Sequence, residues 1–267
     1  MLLPRILSAI VMACIFISAV LFLSEISFAM FVGLVSVLAA WEWARLSGLT
    51  RQQPRIAFAG MVGTLAYGIA IFQLQQLTLW LAPIFWLVAL YWVAVYPSEK
   101  SWRHTGIRLL FGLVILLTTW SALVVLRQAE HFFTYLLVLM GVIWGADTGA
   151  YCFGRLFGKH KLARHVSPGK SWEGVAGGLL VTQIGLAVFA FYQEFTLETA
   201  LQLAFIGLIT ASVSVLGDLT ESLFKRHEGL KDSSHLIPGH GGVMDRLDSV
   251  MSAAPLFVLL LIVFGWL

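Results

Sequence analysis

The sequence predicts an all-α, polytopic integral membrane protein of about nine transmembrane helices with a cytoplasmic N-terminus. Three observations carry that expectation. Of the 267 residues 59% are hydrophobic and only 12% charged, whereas soluble domains run at about 45–50% apolar and about 25% charged. Nine stretches approach the roughly 20 apolar residues that a helix needs to cross a bilayer. If those helices alternate, sixteen of the seventeen Lys and Arg residues fall on one side and Arg127 alone on the other, the pattern of a cytoplasmic face. The net charge of +3 then reflects topology, and nucleic acid is not expected as a partner.

The stretches cover residues 6–23, 26–40, 56–72, 79–96, 107–126, 132–153, 174–192, 200–217 and 249–267. The first follows Arg5 and exceeds the usual h-region of about 7–15 residues, with no small-x-small cleavage site behind it, so it reads as a retained helix rather than a secretory signal. The next four are plain apolar runs joined by short loops. Residues 1–140, five helices and the start of a sixth, therefore form an N-terminal transmembrane region without a nameable motif. Residues 141–267 form a second region whose two long basic loops fall on the N-terminal side of the membrane, and residues 141–249 hold ten of the fourteen acids. Cys14 and Cys152, far apart and inside apolar runs, read as buried thiols acting as small hydrophobes.

Asp147 lies inside a predicted span, where an ionisable group is costly and marks function; the flanking Gly145-Ala-Asp-Thr-Gly149 spacing lets another helix approach closely. The loop 154–174 has five basic residues, two histidines and no acid before Glu173, a field suited to polyphosphate or an anionic headgroup. Its Ser167-Pro-Gly-Lys170 block precedes a helix, where free N–H groups and a lysine make an anion site. Gly169-Lys-Ser171 is not a Walker A tail, since Arg164 stands where that motif requires glycine.

The densest constellation runs from Gly217 to Asp248. Asp218 and Glu221 are spaced i, i+3, as are Asp245 and Asp248, so each pair shares a face if helical. Two such helix ends could hold hard cations through oxygen ligands, a substrate phosphate completing the shell. Lys225, Arg226, Lys231, Arg246 and His240 lie beside them. Glycines flank His240, and no cysteine or i+4 histidine argues for zinc; Mg²⁺ is the expected metal.

Here the sequence resembles the phosphatidate cytidylyltransferases, the CDP-diacylglycerol synthases, of bacterial type. Ser222 through Asp248 matches the family pattern S-x-hydrophobic-K-R-x4-K-D-x-small-x2-hydrophobic-P/G-x-H-G-G-hydrophobic-x-D-R-hydrophobic-D at every fixed position. The Asp147 region, Ser167–Gly174 and Gly217–Ser222 resemble the family's other blocks, so the likeness covers residues 141–255. It implies transfer of CMP from CTP to phosphatidic acid in phospholipid synthesis at the inner membrane, by a homodimer whose site faces the cytoplasm. It also implies Mg²⁺, with a monovalent cation such as K⁺ as a second ion. Asp218 and Asp245 correspond to the family's metal-binding aspartates, with Glu221 and Asp248 beside them. Lys225, Arg226, Lys231 and Arg246 are expected at the triphosphate, and Lys170, Ser167, Gly241, Gly242 and Asp147 around the substrates. Two other readings share these features: an anion transporter, which should show inverted repeats that are absent here, and a cytidylyltransferase for another lipid acceptor.

Overall fold

A backbone in lipid must satisfy its N–H and C=O groups within the segment, and this chain does so by helix almost throughout. The computed structural model describes residues 3–267, with side chains from residue 5. The elements are α1 (Leu3–Phe22), α2 (Glu25–Leu46), α3 (Gln52–Ile71), α4 (Gln75–Leu79), α5 (Leu81–Val95), α6 (Thr105–Arg127), α7 (Phe132–Phe157), β1 (Lys161–Ala163), β2 (Ser167–Ser171), α8 (Trp172–Tyr192), α9 (Leu197–His227) and α10 (Met244–Val263). Among the described residues nine segments are long and apolar enough to cross a membrane, α4 and α5 counting as one. The protein is a multi-pass, all-α membrane protein with one small hairpin.

Several boundaries differ from the sequence expectation for physical reasons. The 79–96 run is broken at Trp80, just ahead of Pro83, which sits in the first turn of α5 where a missing N–H leaves nothing unpaired. Helix α9 does not stop at Gly217 but continues ten residues to His227, and α10 begins at Met244 rather than at residue 249. The basic 154–174 loop contains the antiparallel pair β1–β2, registered Lys161 to Ser171 and Ala163 to Ser167. Cys14 and Cys152 are free but exposed. An apolar run in a membrane helix satisfies lipid as readily as a core, so the expectation of buried thiols is corrected.

Helix α6 is the centre, surrounded by α2, α3, α4, α5 and α10, while α7, α8 and α9 pack in series and join it through α10. An aromatic cluster fastens the C-terminal end of α9 to the N-terminal half: Phe224 lies 4.9 Å from Trp43 and 5.3 Å from Trp102, and Trp92 lies 5.0 Å from Phe111 between ring centroids. Glycines set the α7–α8 spacing. A Cβ on Gly149 would stand 2.8 Å from both the Gly177 carbonyl oxygen and the Gly178 Cα, so the predicted small-residue contact around Asp147 is real.

Pro255 lies inside α10 and cannot donate to the Met251 carbonyl one turn back. The Thr119 hydroxyl, from α6, stands 3.1 Å from that carbonyl and 2.6 Å from its own Ile115 carbonyl, so its one proton is divided between the two acceptors. This partial repair lets a broken ladder persist in an apolar interior.

Candidate active site

Helix α9 has 31 residues, about 46 Å at 1.5 Å per residue against about 30 Å of hydrocarbon. Its last turns therefore project beyond the apolar layer, carrying Asp218, Glu221, Lys225 and Arg226. Gly217 faces α10, where a Cβ would strike the Ser252 side chain and the Asp248 carbonyl. That close approach sets the i, i+3 acids of α9 against those of α10, as their spacing predicts.

Two lysines bridge the acids. Lys225 Nζ lies 2.8 Å from Glu221 Oε2 and 2.9 Å from Asp245 Oδ1, joining α9 to α10. Lys170 Nζ, from β2, lies 2.6 Å from Asp218 Oδ2. Asp248 interacts electrostatically with Asp218, Lys225 and Lys170, and Asp147 with Lys170 and Asp218. Three carboxylates thus pair with two ammonium groups, and Asp147 and Asp248 lie within their field.

Asp245 also organises the loop before its own helix. Its Oδ2 accepts from Gly242 N at 2.7 Å, Ser233 N at 3.0 Å and Ser233 Oγ at 2.9 Å. Gly241, at φ +88°, turns the chain over this carboxylate, and a Cβ there would meet Oδ2 at 2.6 Å. His240 closes the turn by donating its N–H to the Ile237 carbonyl, while its Nδ1 lies 2.6 Å from Ser8 Oγ. Arg246 caps the same turn through the His240 carbonyl at 2.8 Å. Beside it opens a cavity of about 360 Å³ lined by Arg5, Lys231, Asp232, His235 and His240 among others.

The hairpin is tied in from the other side. Arg226 Nε donates to the Val166 carbonyl at 3.4 Å, and Glu173 accepts from the Lys159 and His160 amides at 3.1 and 3.2 Å. The Ser167–Lys170 block belongs to a strand paired at Ser167 and Ser171 with an irregularity between them, and Ser171 caps α8 by accepting from Gly174 N. What the block brings to the acids is the Lys170 ammonium; Ser167 sits at the other end of β2.

The donor set is entirely oxygen, which suits a hard cation. Among the described residues Glu221 Oε1 is buried with no hydrogen-bond partner, and the excess of carboxylates over ammonium groups calls for further positive charge. Among the described residues no three His, Cys, Asp or Glu side chains form a ready-made metal cage. Mg²⁺ commonly uses one or two carboxylates plus substrate phosphates instead of such a cage, so these residues fit it.

The sequence reading missed the N-terminal contribution to this site. Glu42 and Arg45 of α2 and Arg5 and Ser8 of α1 all touch the 233–244 segment. The signal for Glu42 was an acid in Trp41-Glu-Trp-Ala-Arg45, hidden because the predicted span ended at Ala40.

A family model described as the cytidylyltransferase family matches residues 3–264. The chain is 45% identical to a phosphatidate cytidylyltransferase of Pseudomonas aeruginosa, over 100% of this chain and 99% of that protein. It is 38% identical to one from Haemophilus influenzae, over 96% and 97%. Another, from Staphylococcus haemolyticus, is 49% identical over 48% of this chain and 49% of its own.

Proposed function

Since this chain belongs to the cytidylyltransferase family, we propose that it transfers CMP from CTP to phosphatidic acid, releasing pyrophosphate and leaving CDP-diacylglycerol in the membrane. The observation that carries the reading is the lysine-bridged carboxylate cluster formed where α9, α10 and β2 meet, in a chain alike over its whole length to a phosphatidate cytidylyltransferase.

The chemistry asks for little more than these residues offer. The lipid phosphate is already an oxyanion, so no strong general base is needed. Its oxygen attacks the α-phosphorus of CTP, the new P–O bond forms in line as the bond to the β-phosphate oxygen breaks, and the electron pair leaves with pyrophosphate. The obstacle is bringing two anions together. We assign Lys225, Arg226, Lys231, Arg246 and His240 to the triphosphate, with Gly241 and Gly242 shaping the turn beside it. Lys170, with Asp147 beside it, is assigned to the lipid phosphate or the triphosphate, and Ser167 to the substrates from the other end of the same strand. Mg²⁺ would be held by Asp218, Asp245, Glu221 and Asp248, and it would neutralise the charge of the leaving pyrophosphate; K⁺ is proposed as a second ion. Arg5 adds positive charge to the cavity beside His240.

The face bearing this cluster also bears sixteen of the seventeen basic residues, which supports a cytoplasmic site and N-terminus in the inner membrane. We propose a homodimer surrounded by membrane lipids as the working form. The deciding experiment is conversion of radiolabelled CTP to a chloroform-soluble product by purified protein with phosphatidic acid, with and without Mg²⁺. Product dependent on both lipid and metal is expected. A folded preparation giving none would overturn the reading.

A further inference from the structure

Glu42 is fully buried, yet it lies in the half of the chain that carries no family motif. Its Oε1 accepts from Ser234 Oγ at 2.5 Å and Val243 N at 3.1 Å, and its Oε2 from Met244 N at 2.7 Å. The Ser233 hydroxyl stands 3.1 Å from the same Oε2 and 2.9 Å from Asp245 Oδ2, so a single proton is shared between the two carboxylates. Every one of these donors belongs to residues 233–244.

The arrangement fills a structural gap. Helix α10 begins at Met244 with Val243 as its cap residue and no side-chain cap of its own, and the first amides of a helix need acceptors. Glu42 supplies them from another helix, at the end where the helix dipole favours a negative group. One turn along α2, Arg45 Nη1 donates to the Ser233 carbonyl at 3.1 Å, so charge of both signs ties the segment to α2. The fit is tight: a Cβ on Gly242 would run into both the Ser233 hydroxyl and the Glu42 carboxylate. A buried carboxylate is a costly way to hold a helix end, since well-packed apolar residues often serve stability as well or better. Its four donors are the two ends of the loop from which Asp245 hangs.

We propose that Glu42 is a positioning residue for the transfer reaction. Through Ser233, Ser234 and the first amides of α10 it fixes Asp245 and the 238–242 turn against Lys225 and Asp218. The inference rests on the activity proposed above and names the part the N-terminal half plays in it. Small displacements of this loop fall directly on the reacting phosphates.

The test uses the full-length protein with Glu42→Gln, Glu42→Asp and Ser234→Ala. It measures kcat and KM for CTP and the hydrogen exchange of the Val243 and Met244 amides. In Glu42→Gln the carboxamide sets an NH2 against a backbone donor, and kcat is expected to fall about tenfold to a hundredfold while KM changes far less. Exchange at the two amides should accelerate. Glu42→Asp should recover part of kcat, and Glu42→Gln combined with Ser234→Ala should lose less than the product of the single losses. A kcat per folded enzyme within about twofold of wild type in Glu42→Gln, or unchanged exchange at both amides, would overturn the proposal. Should Glu42→Gln fail to fold, Ser234→Ala is read by the same two measurements and unchanged values overturn it equally. Wild-type protein without turnover sinks the assigned activity, and the exchange measurement then decides the placement of the loop by itself.

Discussion

Lys225 offers the most direct way to separate what the cluster does for folding from what it does for chemistry. Its side chain is 15% exposed, and its ammonium group bridges Glu221, 1% exposed, and Asp245, 6% exposed, at 2.8 and 2.9 Å. Lys225→Met keeps most of the side-chain volume and removes the only ammonium that Glu221 contacts among the described residues. Removing one partner of a buried pair costs about 3–5 kcal/mol, because the remaining charge stays buried and uncompensated. At roughly 2–4 °C per kcal/mol for a chain of this size, the thermal midpoint in detergent should fall by about 6–20 °C. The double variant Lys225→Met, Glu221→Gln leaves no orphaned carboxylate on α9, and Asp245 keeps its Ser233 and Gly242 donors. It should regain more than half of that loss, because what is removed is a pair rather than one of its members. Both variants should be inactive on the proposed assignment of the Lys225 ammonium to the triphosphate, since it is gone from each. Fluorescence-detected thermal unfolding and the radiolabelled-CTP assay read the two effects separately. A single variant melting with the wild type, or a double variant no more stable than the single, would refute the reasoning.

Other expectations are as specific. Asp218→Asn and Asp245→Asn should each lower turnover by at least about a hundredfold, the loss typical of removing an electrostatic stabiliser of transferring charge, with detergent-solubilised size unchanged; near-normal turnover in either would refute the metal assignment. Gly149→Ala should lower stability by about 1–3 kcal/mol through overpacking against α8. Gly60→Ala, which meets nothing within 4 Å, should instead raise it by up to about 1 kcal/mol; equal effects at the two sites would dissolve the close-packing argument. In a protein with Cys14 and Cys152 replaced by serine, Lys161→Cys should resist a membrane-impermeant thiol reagent added outside intact cells and react after permeabilisation. Labelling from outside would invert the proposed topology.

The sequence made the spans legible because lipid forces them: a helix that must hide its backbone has to be apolar along its length, and that shows in composition. The face relationships inside the motif were legible too, since i, i+3 spacing needs only local helix to place Asp218 with Glu221 and Asp245 with Asp248. What escaped was set by partners distant in sequence. A polar stretch after Gly217 reads as a loop until it is known that α9 is held out to His227 by Phe224 among Trp43, Trp92 and Trp102. The three- and five-residue strands of the hairpin are too short to announce themselves by alternation. Pro255 lies inside the predicted 249–267 span, and nothing local to it points to Thr119, whose hydroxyl reaches the Met251 carbonyl from 132 residues away. Glu42 was hidden for the same reason: its meaning is in donors about 200 residues distant, and nothing local to Trp41-Glu-Trp distinguishes a strut from a solvated helix end.

Position along the membrane normal explains why such a site can be assembled from helix ends at all. Counting from Leu197, Asp218 lies about 32 Å along α9 at 1.5 Å per residue, and Glu221 and Lys225 lie further out. With about 30 Å of hydrocarbon to cross, the acids emerge where the apolar layer ends. Deeper placement would strand the four carboxylates of α9 and α10 in lipid, where each is costly; placement well clear of the surface would leave the phosphate of a membrane-embedded acceptor out of reach. On the proposed site, the headgroup of phosphatidic acid would already be confined to the plane of the cluster, so the membrane itself would supply much of the proximity the reaction needs. The protein's remaining task is to hold CTP at the same level with its α-phosphorus turned toward that plane. The C-terminal ends of α2 and α9, the N-terminal ends of α1, α8 and α10, and the hairpin all reach this one face, as the contacts of Arg5, Glu42, Lys170 and Lys225 require.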